Sequence, residues 1–262
     1  LCDIPLVVTI HGTDLMGCRK WPVFRGFAEE AIAGSAKVLA ISQDNRDLAL
    51  SVLPSCANKL LLLPNGYNED IFYPEEVDRE SLFDSLGLPY RGEYIVLFAG
   101  KLAEFKGVDT LLRVAHRYER LTEREIVTLI AGDGEERQML EELAREACPE
   151  GSVIFAGWVR DTDSFYNAID VNMLTSLSEG SPYALVEGAR MRCATIATSV
   201  GGIPYMMESG VTGLLFTPRD VDTLTAYMVR LVQNPAFRKQ LGQNFYEKAE
   251  RVYSAEATVN HQ

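Results

Sequence analysis

The 262-residue sequence has too little positive charge for a protein that binds nucleic acid. Its 25 lysines and arginines are outnumbered by 37 aspartates and glutamates, which gives a net charge of −12. Binding to a phosphate backbone depends on clustered lysine and arginine, so we expect no nucleic-acid partner. Apolar runs are short as well, and none approaches the ~18–20 residues of a transmembrane segment. The composition, 47% apolar and 24% charged, is that of an ordinary globular protein.

Cysteine and histidine are scarce and unclustered. The five cysteines are scattered, odd in number and never spaced as C-x-x-C, which favours free thiols in a reducing compartment. With no recognisable signal peptide, this predicts a cytoplasmic location. Asp161 and Asp163 form an Asp-x-Asp pair that could bind a metal ion. Because the pair directly precedes a predicted helix, we interpret Asp163 as a helix N-cap and expect no metal site.

Short apolar segments alternate with amphipathic ones along the chain. Such alternation predicts βαβ units and parallel sheets, and hence an α/β fold. We predict strands at 6–10, 37–42, 59–64, 94–98, 126–130, 153–157, 169–174 and 194–199, and a short β segment with a turn at 210–218. We predict helices at 21–33, 44–53, 108–120, 135–146, 164–168, 183–191, 223–233 and 236–253.

A polar, turn-rich stretch divides the chain. Residues 74–80 contain four acidic side chains and a proline, a composition typical of a linker. We therefore predict a first domain at 1–73, a linker at 74–92 and a second domain at 93–262. The apolar segment at 6–10 is of the kind that parallel sheets cover on both faces, so it predicts neighbouring strands beyond those in this chain.

The segment 175–190 carries the strongest indication of chemistry. It places Glu179 in a Gly/Pro loop after a predicted strand and Glu187 in the helix that follows. Pro182 suits the first turn of a helix, so the free amides of the helix start, with the positive end of the helix dipole behind them, form an anion site. Two carboxylates beside an anion site suit a ligand with phosphate in the middle and sugar hydroxyls on either side.

Two lysines bracket another loop between a predicted strand and a predicted helix. Lys101 and Lys106 lie five positions apart, after Gly100 and before Gly107. Such a pair can hold a diphosphate with two point charges. The alternative interpretation is that both are solvated surface lysines, which is the commoner fate of this residue.

These motifs, in this order, resemble the retaining glycosyltransferases of family 4, which have the GT-B fold. The resemblance rests on Ser-x-x-Glu-Gly-x-Pro, a second glutamate separated from the first by seven residues, Val200-Gly-Gly202, and the Lys-Gly loop at Lys106. Lys101 stands where the family usually has arginine. The resemblance implies a complete C-terminal Rossmann-like domain and the last part of an N-terminal, acceptor-side one.

The resemblance also implies an activity and roles for particular residues. The chain would transfer a sugar from a UDP- or GDP-sugar to an acceptor with retention of configuration, and no cofactor would be tightly bound. Glu179, His11 and Lys106 would act in catalysis. Glu179 would bind sugar hydroxyls, His11 would line the sugar from the first domain, and Glu187 would bind the ribose. The other residues expected in the donor site are Gly100, Lys101, Gly180, Tyr183 and Ala184 near the diphosphate, and Trp158 and Val159 near the base.

Other interpretations of these residues remain open. His11 could be an ordinary loop histidine and Trp158 a core residue. The chain could be a non-catalytic nucleotide-sugar-binding fragment or, less in keeping with its motifs, a GT-B nucleotide-sugar epimerase. The acceptor could be a glycan, a lipid-linked or a small molecule, with peripheral membrane contact possible. Because the first domain looks incomplete, we expect a dimer or pairing with a missing N-terminal half.

Overall fold

The computed structural model describes residues 4–118 and 125–260, which form two parallel β-sheets joined by helices. The first sheet has the order β1-β2-β3, with β1 at Val7–Ile10, β2 at Lys37–Ala40 and β3 at Leu60–Leu62. Helices α1 (Thr13–Lys20) and α2 (Pro22–Gly34) connect β1 to β2, and α3 (Gln43–Val52) connects β2 to β3. The α/β class and the parallel pairing predicted from the sequence are confirmed.

The second sheet has six parallel strands in the order β6-β5-β4-β7-β8-β9. Its strands and helices, in chain order, are α4 (Arg79–Ser85), β4 (Tyr94–Ala99), α5 (Val108–Tyr118), β5 (Ile126–Ala131), α6 (Arg137–Ala147), β6 (Val153–Gly157), α7 (Thr162–Ala168), β7 (Val171–Leu174), α8 (Tyr183–Arg190), β8 (Ala194–Thr198), α9 (Ile203–Met206), β9 (Leu214–Phe216), α10 (Val221–Gln233), α11 (Pro235–Val252) and α12 (Ala255–Asn260).

The order of the second sheet contains a topological switch point. The chain starts at β4 in the middle, adds β5 and β6 on one side, and then returns to add β7, β8 and β9 on the other. The loops that leave β4 and β7 therefore diverge, and a crevice opens between them at the carboxyl end of the sheet. Ligands of open α/β sheets bind in crevices of this kind.

Apolar side chains cover both faces of the second sheet. One buried cluster lies between the sheet and α4, α7, α8 and α11, and the other lies between the sheet and α5, α6 and α10. Strands β4, β5, β7 and β8 are almost entirely buried, as expected for parallel strands covered on both sides. This buried sheet is the rigid base on which the crevice loops stand.

The end of the chain returns to the segment that follows the first sheet. Tyr67 donates its backbone N–H to the carbonyl of Tyr253 at 3.2 Å, and the Glu69 carboxylate accepts from the backbone N–H of Ala255 at 3.0 Å. Arg190, at the end of α8, donates to the carbonyl of Phe72 at 2.9 Å. The position of the first sheet is thereby tied to both α8 and the C-terminal helices.

Several elements differ from those predicted from the sequence. Helices α1, α4, α9 and α12 were not expected, and α4 lies inside the expected linker at 74–92, where Leu82 and Phe83 are buried in the core of the second sheet. The predicted cap at Asp163 is wrong, because Asp163 lies inside α7. Asp161 takes the cap position, and its side chain makes no capping bond. Arg120, the expected end of α5, lies outside the described residues.

The first sheet leaves apolar surface exposed. Within the described residues β1 pairs only with β2, so its other edge is free. Val7 is half exposed, and α2 presents Phe24 and Phe27 to solvent at 56% and 66% exposure. In the described part of the chain, none of the helices combines the length and the apolar character needed to cross a membrane.

Candidate active site

The loop between β7 and α8 forms one wall of the crevice. It is tied to the loop after β4, because Thr175 donates its hydroxyl to the Lys106 carbonyl at 3.1 Å and the Leu177 amide donates to the Phe105 carbonyl at 2.7 Å. Pro182 is the N-cap of α8 and has an extended backbone, rather than being the first helical residue. The amides of the first helical residues, beginning at Tyr183, have no acceptor within the helix, so they are available to donate to a bound anion, as the sequence predicts.

Two glycines after β8 allow that segment to pack closely against the loop before α8. A Cβ atom on Gly201 would lie 1.8 Å from the Glu179 carbonyl oxygen, and one on Gly202 would lie 1.8 Å from the Gly180 carbonyl oxygen. The Gly202 amide donates to the Glu179 carbonyl at 3.1 Å. Gly201 also has a positive φ of 50°, which a side chain tolerates poorly. The Val-Gly-Gly motif therefore allows the backbone after β8 to pack directly against the backbone of the loop before α8.

Lys106 and Glu179 form an ion pair inside the crevice. The Lys106 Nζ lies 2.6 Å from Glu179 Oε1, and the two side chains are only 20% and 9% exposed. The Ser176 hydroxyl donates to the same carboxylate oxygen at 2.6 Å. Because burial weakens screening by solvent, this pair is better defined than a surface salt bridge. A ligand phosphate that bound Lys106 would have to share or replace this carboxylate.

Lys101 has a different environment. Its Nζ lies 2.8 Å from Glu135 Oε2, and the two side chains are 58% and 57% exposed. The pKa of the Glu135 carboxyl is lowered mainly by the hydrogen bond that Lys101 donates. An exposed pair of this kind is weak and exchanges readily, so Lys101 is free to turn toward an anion in the crevice.

Glu187 lies one turn into α8 and lines the crevice together with Lys106 and Glu179. Its Oε2 accepts a hydrogen bond from the Tyr166 hydroxyl at 3.2 Å. Burial raises the pKa of the Glu187 carboxyl, and this hydrogen bond opposes the rise. The two glutamates of the motif therefore differ, since Glu179 is paired with a cation and Glu187 with a neutral hydroxyl.

The first sheet contributes three side chains that face the loop before α8. Asn65 donates its side-chain amide to the Ser181 carbonyl at 2.9 Å. Asn45 is buried, and its Nδ2 lies 3.2 Å from where a Cβ on Gly180 would stand; within the described residues this nitrogen has no hydrogen-bond partner. His11 follows β1 and is exposed to the crevice. Residues that follow the strands of the first sheet therefore form the wall of the crevice opposite the second sheet.

One cavity of about 680 Å³ contains all eleven residues that the sequence assigned to the donor site. Trp158 stands at its edge and is 82% exposed, which corrects the alternative interpretation of this side chain as a core residue. The eleven are His11, Gly100, Lys101, Lys106, Trp158, Val159, Glu179, Gly180, Tyr183, Ala184 and Glu187.

Sequence reasoning missed the residues that support the two glutamates. Ser176 and Tyr166 hydrogen-bond to Glu179 and Glu187 respectively, and Asn172 donates to the Ala184 carbonyl at 2.9 Å. A polar residue in the middle of the buried strand β7 was the available signal for Asn172. Nothing in the local sequence distinguishes Tyr166 from an ordinary core aromatic.

No cluster of three or more His, Cys, Asp or Glu side chains suitable for a metal ion occurs in residues 4–118 and 125–260. Asp161 and Asp163 accordingly belong to no such cluster there. The ionisable side chains that line the cavity include the two lysines, His11, Asp133 and the two motif glutamates.

Two Rossmann-like parallel sheets that face each other across a ligand-sized cleft define the GT-B class of fold. Residues 78–248 match the family model for glycosyl transferases group 1. The chain therefore belongs to that family of glycosyltransferases.

Similar proteins agree with this assignment. An uncharacterized glycosyltransferase of Methanocaldococcus jannaschii is 26% identical over 279 residues, which cover 99% of this chain and 69% of that protein. The alpha-maltose-1-phosphate synthase of Mycobacterium tuberculosis is 28% identical over 292 residues, which cover 99% of this chain and 73% of the synthase. Among solved structures, Anabaena HepE in complex with UDP-glucose superposes with a TM-score of 0.84 at 20% identity, over 98% of this chain and 70% of HepE.

Proposed function

We propose that the chain is a family 4 glycosyltransferase that transfers a sugar from a UDP- or GDP-sugar to an acceptor with retention of configuration. The observation that carries the proposal is one cavity at the switch point of the sheet that is lined by the start of α8, by Glu179 before it in the chain and by Glu187 within it. The solved complexes of Anabaena HepE with UDP and glucose, and with UDP-glucose, support a donor of this kind.

The diphosphate would bind between the two lysines and the start of α8. Lys101 and Lys106 supply positive charge, and the amides of Tyr183 and Ala184 supply hydrogen-bond donors along the helix dipole. Lys106 would exchange part of its bond with Glu179 for one with a phosphate oxygen. Gly180 and Gly100 keep the loops around the diphosphate free of side chains.

The rest of the donor would extend to both sides of the diphosphate. On one side Glu187 accepts hydrogen bonds from the ribose hydroxyls, and the base lies along Val159 and the exposed ring of Trp158. On the other side Glu179 accepts from sugar hydroxyls while Ser176 holds it. His11 approaches this sugar from the first sheet.

Catalysis would depend on charge that develops as the glycosidic bond breaks. The leaving diphosphate becomes more negative, so fixed amides and lysines aimed at it stabilise the transition state more than the ground state. No side chain of the cavity is placed as a protein nucleophile in this proposal. The departing phosphate takes the proton of the acceptor hydroxyl, on the same face from which it leaves, and the configuration is retained.

Two lysines and the helix start neutralise the diphosphate in this scheme, so donor binding requires no metal ion and no tightly bound cofactor. Binding measured in excess chelator should equal binding in Mg²⁺. A strict Mg²⁺ requirement that Asp163→Ala abolishes would contradict this part of the proposal. The scattered free thiols, four of which the structure describes, suit a cytoplasmic enzyme.

The experiment that tests the activity is a transfer assay followed by NMR. UDP-glucose, GDP-mannose and related α-linked donors are incubated with candidate glycan, lipid-linked and small-molecule acceptors, and the product anomer is identified from its proton coupling. We expect an α-linked product, and loss of turnover in Glu179→Gln. A β-linked product, or a product formed equally by Glu179→Gln, would contradict the proposed mechanism.

A non-catalytic nucleotide-sugar-binding role is the second candidate, and the exposed first sheet favours it. In this proposal residues 1–73 are part of an acceptor-side domain whose free β1 edge pairs with further polypeptide, either a second copy or the strands of a missing N-terminal half. An open parallel edge invites such pairing. We expect the 262-residue chain alone to bind nucleotide, to transfer sugar poorly, and to have a solution mass above that of the monomer. A monomer with ordinary turnover would exclude this candidate.

A further inference from the structure

Tyr166 lies directly beneath the first turns of α8. It belongs to α7 and is 1% exposed, and its ring packs edge-on against Phe72 with 6.1 Å between the ring centroids. Its hydroxyl points at α8, where it lies 3.2 Å from Glu187 Oε2 and 3.4 Å from the Ala184 carbonyl oxygen. The ring is thus held by the core while the hydroxyl reaches the edge of the cavity.

The Glu187 carboxylate is the more important of the two acceptors of the Tyr166 hydroxyl. The Ala184 carbonyl already accepts a shorter bond, 2.9 Å, from the Asn172 side chain. Gly188 makes room for that amide, because a Cβ there would lie 2.3 Å from Asn172 Nδ2. The backbone of α8 therefore does not need the Tyr166 hydroxyl. A buried hydroxyl is costly unless it is hydrogen-bonded, and Glu187 supplies the acceptor.

No cation among the residues that the structure describes is paired with the Glu187 carboxylate. Arg190, one turn further along α8, donates instead to Glu250 at 2.8 Å, and Lys106 is paired with Glu179. Within the described residues, the Tyr166 hydroxyl is the one hydrogen-bond donor recorded for the Glu187 carboxylate. This bond uses Oε2, and Oε1 has no hydrogen-bond donor among the described residues, in a side chain that lines the cavity.

We propose that Tyr166 is a positioning residue for nucleotide recognition: by donating to Oε2 it fixes the Glu187 carboxylate as an ionised acceptor whose free oxygen receives the ribose hydroxyls. The proposal rests on the proposed function, in which Glu187 binds ribose. It deepens that function, because specificity for ribonucleotides then depends on a side chain that never touches the ligand.

The test compares ligands with and without the ribose hydroxyls. Titration calorimetry with UDP and with 2′,3′-dideoxy-UDP measures the hydroxyl-dependent part of the affinity, and the phosphate contacts cancel in the ratio. Tyr166→Phe removes one oxygen and should weaken UDP by roughly three- to tenfold, the range for one net hydrogen bond. It should change the affinity for dideoxy-UDP by less than about twofold. A merely structural defect would instead weaken the binding of both ligands.

Two further variants complete the comparison. Tyr67→Phe is the matched control, because Tyr67 also donates to a glutamate, Glu250, outside the cavity; it should leave both affinities unchanged. Glu187→Gln should lose the preference for UDP, and adding Tyr166→Phe to it should cause no further loss. If Tyr166→Phe folds poorly, a gain in Tm from Glu187→Gln that is larger in the Tyr166→Phe background than in the unaltered chain supports the proposal, because the hydroxyl is then needed mainly opposite a charge.

Each failure has a separate meaning. If Glu187→Gln keeps the preference for UDP over dideoxy-UDP, the proposed role of Glu187 is wrong. If Glu187→Gln loses that preference but Tyr166→Phe keeps it, or weakens both ligands equally, the positioning role of Tyr166 is overturned while the proposed function stands. Failure of both Tyr166 variants to fold would likewise overturn it in favour of a structural role.

Discussion

At the scale of single residues, the two motif glutamates have distinct environments. Glu179 is held by a lysine and a serine at 2.6 Å each, whereas Glu187 is held by a buried tyrosine. A carboxylate already neutralised by a cation can accept from neutral hydroxyls without repelling a nearby phosphate. A carboxylate without a cation is better placed farther from the phosphate, where the ribose would lie.

We predict that glutamine at the two positions affects different ligands. Glu187→Gln should weaken the binding of nucleoside diphosphates that carry ribose hydroxyls and should have little effect on the binding of pyrophosphate. Glu179→Gln should spare the nucleoside diphosphate and weaken the intact nucleotide sugar, by roughly 1.5–3 kcal/mol for lost hydrogen bonds to a charged group. Calorimetry with pyrophosphate, UDP and UDP-glucose checks both. Equal losses for every ligand would show that the assigned roles are mistaken.

The Glu187 carboxylate should also lower the free energy of unfolding at neutral pH. Burial raises the pKa of its carboxyl, and a group whose pKa is higher in the folded protein stabilises the fold only when protonated. The free energy of unfolding therefore falls as pH rises from the unfolded pKa through the folded one. Glu187→Gln should raise Tm at about pH 8 and have little effect at about pH 4, where the carboxyl is mostly protonated. A lower Tm at about pH 8 would contradict this.

At the scale of elements, the loop before α8 depends on the loop after β8. Gly201 and Gly202 lie against the carbonyls of Glu179 and Gly180, and the first sheet closes the other side. The loop before α8 is therefore packed between two neighbouring segments, and backbone contacts help to set its geometry.

We predict that a methyl group at Gly202 disrupts nucleotide binding. Its φ of −78° suits alanine, so backbone strain is absent, but the new Cβ would lie 1.8 Å from the Gly180 carbonyl oxygen. The loop must shift, and we expect nucleotide affinity to fall by more than tenfold. Gly26→Ala is the matched control, because a Cβ there meets nothing within 4 Å and alanine favours its helix. Equal affinity in Gly202→Ala would show that the loop is not held in this way.

The order of the elements was predictable from the sequence, and their mutual support was not. Apolar runs bounded by glycine and proline located the nine strands of the described residues, because hydrophobic periodicity is a local property. Helices α1 and α4 were missed, since their segments look polar until Leu15, Leu82 and Phe83 meet a core. Tyr166 was missed for the same reason, because its hydroxyl acquires a role only when α7 packs beneath α8.

At the scale of the whole molecule, the second sheet contributes more residues to the cavity than the first sheet does. The second sheet supplies the crevice, the anion site and both glutamates, while the first contributes His11, Ile41 and Asn65 to the cavity. The C-terminal helices return to the segment after the first sheet, so the closure of the cavity depends on contacts distant from it. A ligand that fills the cavity should therefore stabilise both parts together.

The account predicts most directly that the cavity binds a nucleoside diphosphate through Lys106. The decisive measurement is titration calorimetry of UDP and GDP against the unaltered chain, Lys106→Ala, and Lys239→Ala as a control on the exposed face of α11. Lys106→Ala should weaken the preferred nucleotide by roughly 1.5–3 kcal/mol, with the control unchanged. Part of that loss is repulsion from Glu179 left without its cation, so Lys106→Ala/Glu179→Gln should recover some affinity. Failure of the unaltered chain to bind either nucleotide, or equal affinity in Lys106→Ala, would contradict the account.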